Sequence, residues 1–153
     1  LVLATGFSPE RKAILEGFLL FRNELKKMGL QGFQWVDGSF VEDVENSERR
    51  RPPSDVDLLT WVFLPEGLDP EKQIEWYKRV AAWYYGLDAK ANFKCDAYIA
   101  PVFPNGTSYM DDAIYWSGLF SHSKEGESWK GFFQVGLADD ENEAMMILKE
   151  VAK

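Results

Sequence analysis

A single cysteine, Cys95, among 153 residues excludes an intrachain disulfide and any zinc site built from several cysteines. A reducing, intracellular compartment is the expectation that follows, and with it a cytoplasmic location. Basic residues are scarce as well: 17 Lys and Arg stand against 25 Asp and Glu, a formal net charge of -8. That balance argues against nucleic acid as a partner, because phosphate backbones select for clustered cations. A small nucleotide is still compatible, since a bound metal supplies positive charge locally. No apolar run approaches the roughly 20 residues that span a bilayer, and the first residues lack the basic segment and apolar core of a secretory leader. No membrane association is expected.

Apolar residues, by contrast, are plentiful. At 46% hydrophobic and 15% aromatic, the chain can bury a sizeable core without disulfides or a structural metal. Its length fits one domain over residues 1–153. Ser8-Pro9 reads as a cap and first-turn proline, followed by Ile14, Phe18, Phe21, Leu25 and Met28 at helical spacing up to Gly29. A short strand is predicted from Phe33 to Val36, then one or two helical turns within Ser39–Val44. The charged stretch from Glu45 through Arg49-Arg50-Arg51 to Pro52-Pro53 reads as an exposed connection.

A second strand is predicted from Asp55 to Leu64, and a helix capped by Asp69-Pro70 runs through Ile74, Tyr77, Ala81 and Tyr84 to Gly86. A third strand spans Lys94–Ala100, stopped by Pro101 and the Pro104-Asn105-Gly106 turn. A short helix within Asp111–Leu119, a fourth strand from Trp129 to Leu137, and a last helix capped by Asp139 with Ala144, Met145, Leu148 and Val151 complete the pattern. Strands interleaved with helices predict an α/β layer fold.

The chemistry is concentrated between Val36-Asp37-Gly38-Ser39 and Ser54-Asp55-Val56-Asp57-Leu58. Side chains alternate along a strand, so Asp55 and Asp57 point the same way and can share a divalent cation. The apolar residues around them bury the strand, where unpaired charge is costly unless a cation compensates it. An alternative is a structural network with Arg49, Arg50 or Arg51. The arginine run itself reads as a solvated loop, His122 as a surface residue and Cys95 as core. The six tryptophans read mostly as core; Trp116 and Trp129 are also compatible with a base-stacking wall, though nothing in the sequence selects them.

The segments Asp37-Gly38-Ser39-Phe40-Val41, Pro53-Ser54-Asp55-Val56-Asp57 and Trp129-Lys130-Gly131 carry a resemblance. The chain resembles the DNA-polymerase-beta-like nucleotidyltransferase superfamily, and within it the small bacterial family designated DUF6932, over about Ser8 to Leu137. The gap from Ser39 to Asp55 is longer than in the tightest superfamily members, and the extra length falls in the charged connection, where insertion is tolerated.

The resemblance implies a mixed β-sheet flanked by helices, with Gly38 and Ser39 at the end of the first strand as the phosphate-binding pair of a nucleoside triphosphate. It also implies catalytic and metal-binding roles for Asp55, Asp57 and Asp96, with Mg2+ or Mn2+ as cofactor. A helix starting just after Ser39 would add backbone N–H groups for an anion. Asp96 would complete a two-metal site and accept the proton of the nucleophile, although a lone acid in a strand also occurs facing water at a sheet edge.

The implied activity moves a nucleoside monophosphate to a hydroxyl of a protein or small-molecule acceptor. Small members of the superfamily also occur in toxin-antitoxin and phage-defence pairs. Two rivals stand beside this: a degenerate relative that binds nucleotide or a partner protein without turnover, and a structural domain whose carboxylate cluster is coincidental.

Overall fold

The computed structural model describes residues 8–46, 51–103, 108–122 and 129–150. The Ser8 hydroxyl accepts from the Arg11 N–H at 3.3 Å, and Pro9 opens helix α1, Pro9–Lys27. Ile14, Phe18, Phe21 and Leu25 are all buried, as their spacing predicts. Met28 is not; it closes the helix and is half exposed.

Strand β1, Gly32–Asp37, leads into one 3-10 turn at Ser39–Val41. Strand β2, Val56–Phe63, starts one residue later than the sequence pattern suggests, leaving Asp55 just outside it. Helix α2, Pro70–Gly86, is capped by Asp69, whose carboxylate accepts from the Lys72 N–H at 3.0 Å. Val80 and Tyr84 carry its burial, and Ile74 faces outward. A short helix α3, Ala89–Phe93, follows; five residues are too few to show a period.

Strand β3, Cys95–Val102, runs through Pro101 rather than stopping before it. The strand lies at the sheet edge, where a missing N–H leaves no ladder bond unmade on the outer side. Helix α4 is Ser108–Phe120, strand β4 is Phe133–Gly136 and helix α5 is Asn142–Glu150. The predicted fourth strand is therefore trimmed, with Trp129 making only an isolated bridge to His122. Asp139 does not cap α5. Its carboxylate accepts from the Gly136 N–H at 2.7 Å within the preceding turn, and Asp140 accepts from the Asn142 N–H at 3.0 Å. The Pro104-Asn105-Gly106 turn, Arg49, Arg50 and Val151 lie outside the described residues.

The four strands form a mixed sheet in the order β3-β2-β1-β4, with β1 antiparallel to β2 and β4, and β2 parallel to β3. Residues of α1, α2, α3 and α5 pack with Val36, Leu58, Val62 and Ile99 on one face. Tyr109, Trp116 and Phe120 of α4 cover Leu59, Trp61 and Ala100 on the other. Burial on both faces explains the near-continuous apolar run of β2.

A buried polar chain crosses the first face. Arg22 Nη1 donates to Gln34 Oε1 at 2.8 Å, and Gln34 Nε2 donates to Thr60 Oγ1 at 3.0 Å. Thr60 Oγ1 lies 2.9 Å from the Tyr84 hydroxyl, which donates to the Tyr98 carbonyl at 3.0 Å. Each member is satisfied by the next, the condition under which a buried polar network rigidifies a core.

Candidate functional site

Sheet register gathers the acids. Asp37, Asp57 and Asp96 are paired residues on β1, β2 and β3, one row across three strands. Strand alternation places them on the face covered by α4, the face that also carries Trp35, Leu59 and Ala100. Because β1 runs against β2 and β3, its last residue stands in register with the second residue of each, and the row lies at one rim of the sheet. Like charges opposed across a sheet repel, so such a row needs cations nearby.

Two lysines supply them. Lys90 of α3 places its Nζ 3.0 Å from Asp96 Oδ2 and 3.3 Å from Asp55 Oδ2. Lys130, which is partly buried, places its Nζ 3.0 Å from Asp37 Oδ1 and 3.0 Å from Glu42 Oε1. The hydrogen bonds Lys90 donates to Asp96 and then to Asp55 raise its pKa, so its ammonium is secured. Asp37 is shifted up: burial outweighs the opposing effects of Lys130 and the Gly38 backbone, and Glu42 adds to the rise.

The row floors a cleft of about 440 Å³, whose walls include Gly38, Ser39, Arg51, Asp55 and Tyr98. The Gly38-Ser39 pair follows β1 directly and shares this cleft with the aspartates. Gly38 has φ 84, and a Cβ built on it would stand 2.1 Å from Asp57 Oδ2. Its missing side chain therefore makes room for the Asp57 carboxylate. The helix expected after Ser39 is a three-residue 3-10 turn, so no helix dipole is available at that point.

That turn is held from behind by Arg11. Fully buried, Arg11 donates to the Phe40 carbonyl at 2.6 Å and the Glu42 carbonyl at 2.5 Å, and grips both oxygens of Glu45 at 2.8 and 2.7 Å. The bond from Arg11 is the main reason the Glu45 carboxyl lies below its ordinary value.

Several residues outside the expected site prove to belong to it. Asp37, Glu42, Lys90 and Lys130 form its ion pairs, and only Lys130, within Trp129-Lys130-Gly131, and Asp37, beside Gly38, lay in segments that drew attention from sequence. Arg51 lines the cleft but enters none of these four pairs. Neither Trp116 nor Trp129 lines the cleft; Tyr98 and His122 do. Trp116 packs behind Tyr98 at 4.9 Å, and Trp129 packs on His122 at 4.2 Å. Cys95 is buried and its thiol is pushed up to about 12 by that burial, so it is a packing residue.

Among the described residues, no group of three or more His, Cys, Asp or Glu side chains is arranged to hold a metal ion. The donor chemistry of Asp55, Asp57 and Asp96 nevertheless suits Mg2+: hard carboxylate oxygens beside one cleft. Two of the three already share one cation, the Lys90 ammonium. Among the described residues no helix is long and apolar enough to cross a membrane.

The fold and site define a mixed α/β protein whose sheet rim carries an acidic cleft bridged by lysines. Its sequence assigns it more narrowly: the chain belongs to DUF6932, a family of unknown function, whose model matches residues 1–136. No curated protein and no solved structure matches it.

Proposed function

We propose that this chain is a metal-dependent nucleotidyltransferase that moves a nucleoside monophosphate from a triphosphate to a hydroxyl of a protein or small-molecule acceptor. The observation that carries this reading is the placement of Gly38-Ser39 and of Asp55, Asp57 and Asp96 around one cleft. Asp55, Asp57 and Asp96 would hold Mg2+ or Mn2+, and Asp96 is also the group to accept the proton of the attacking hydroxyl. The metal, when bound, neutralises charge on the transferring phosphoryl group and its pyrophosphate leaving group. Ser39 offers its hydroxyl to a phosphate, and Gly38 keeps Asp57 seated beside it. The net charge of -8 favours a protein or small molecule over nucleic acid as acceptor.

One observation favours a second reading, nucleotide binding without turnover: the Lys90 ammonium already occupies the position between Asp55 and Asp96. Pyrophosphate release separates the two. Calorimetry with Mg2+ or Mn2+ and each nucleoside triphosphate, followed by a pyrophosphate assay, should show metal-dependent binding and release in the wild type. Asp55→Asn and Asp57→Asn should each abolish release and the rise in melting temperature that Mn2+ gives the wild type. Binding without release, with or without metal, supports the second reading; no nucleotide binding at all rejects both.

A further inference from the structure

Lys90 is presented in an unusual way. Its helix, α3, has only five residues and is bounded by two non-glycine residues with left-handed backbones, Asp88 at φ 46 and Lys94 at φ 55. Such conformations persist only where the surroundings enforce them. Here the enforcement comes from α1: a Cβ on Gly17 would stand 2.0 Å from the Phe93 carbonyl oxygen, so the two backbones touch. Ala89 is buried in the core beneath. The platform is packed against α1 and the core, yet the Lys90 side chain is 63% exposed and ends on two carboxylate oxygens. A long side chain with an exposed stem on a fixed base can swing its ammonium away without disturbing the fold.

We propose that Lys90 is an internal counter-cation: its ammonium bridges Asp55 and Asp96 in the metal-free protein and must leave those oxygens before a divalent ion binds them. Lysine and metal compete for one position. This rests on the metal-dependent reading above, but it concerns binding and is tested without turnover. The bridge explains how Asp55 and Asp96 stay close to each other before any metal arrives. It also makes metal affinity depend on a residue that is not itself a ligand.

The test is Mn2+ binding to the full chain, followed through the paramagnetic resonance of free Mn2+. Two partly exposed ion pairs of ordinary surface strength correspond to roughly tenfold tighter Mn2+ binding by Lys90→Met. Lys90→Arg, which keeps a cation able to span both carboxylates, should bind no more tightly than wild type. Lys94→Gln removes the same charge from the end of the same short helix without touching either ion pair, and should change affinity little.

Equal affinity in wild type and Lys90→Met, with binding still lost in Asp57→Asn, overturns the competition and leaves the metal reading in place. An equal gain in Lys94→Gln also overturns it, because the effect would then be net charge alone. No Mn2+ binding by any of these proteins, Lys90→Met included, overturns both.

Discussion

Gly38 shows how one residue can serve the site through what it lacks. Both its φ of 84 and the 2.1 Å approach of a built Cβ to Asp57 Oδ2 exclude a side chain there. Gly38→Ala should lower stability by about 1–3 kcal/mol through backbone strain, and should displace the Asp57 carboxylate at the same time. A denaturant melt and Mn2+ titration of the same variant read the two effects separately. Ser39→Ala is the contrasting change. It should weaken triphosphate binding by calorimetry while the melting temperature stays nearly constant, since the lost hydroxyl borders the cleft rather than the core. Unchanged affinity in that variant would count against a phosphate role for Ser39.

Among the elements, β2 is the one that both folds the protein and positions its chemistry. Its apolar side chains are buried on two faces, and its first turn of alternation carries Asp57 to the cleft. Thr60, three residues on, passes the hydrogen-bond chain from Gln34 to Tyr84 and so ties β1 to α2 and β3. Burial raises the Tyr84 pKa above its ordinary value, keeping the hydroxyl a neutral donor. Thr60→Val conserves shape but leaves the Gln34 amide without its acceptor, and should cost about 1–3 kcal/mol by chemical denaturation. A neutral result would mean that the chain specifies register without adding stability.

The whole molecule carries its acidity unevenly, and its pH dependence should follow. The folded-state pKa of Glu45 is lowered, so its contribution to stability is present above the ordinary value of 4.5 and is lost as pH falls through the folded value. Asp37 has the opposite sign. Its pKa is raised above 3.8, so its contribution is present below that value and is lost as pH rises through the folded one. Stability measured against pH should therefore lose part of its acid limb in Glu45→Gln. In Asp37→Asn, stability at neutral pH should hold or rise, because Lys130 keeps Glu42 as a partner. A marked loss at neutral pH in Asp37→Asn would show the Lys130 pair to outweigh the burial of Asp37.

Helices α1 and α2 and strand β2 were legible in the sequence because their signals are local: a cap, a proline, a period of 3.6, an uninterrupted apolar run. The short α3, the trimmed β4 and the passage of β3 through Pro101 were not, because their limits are set by partners far along the chain. The same division holds for the cleft. That Asp55 and Asp57 belong together was suggested by their spacing within one segment; they border one cleft, though Asp55 lies just before β2. That Asp37 and Asp96 stand beside Asp57, and that Lys90 and Lys130 neutralise them, follows from strand order and register. The sequence by itself determined which residues are acidic, apolar or able to turn. Only the tertiary structure decided which charges meet, because electrostatic pairing depends on distance in space and carries no periodic trace along the chain.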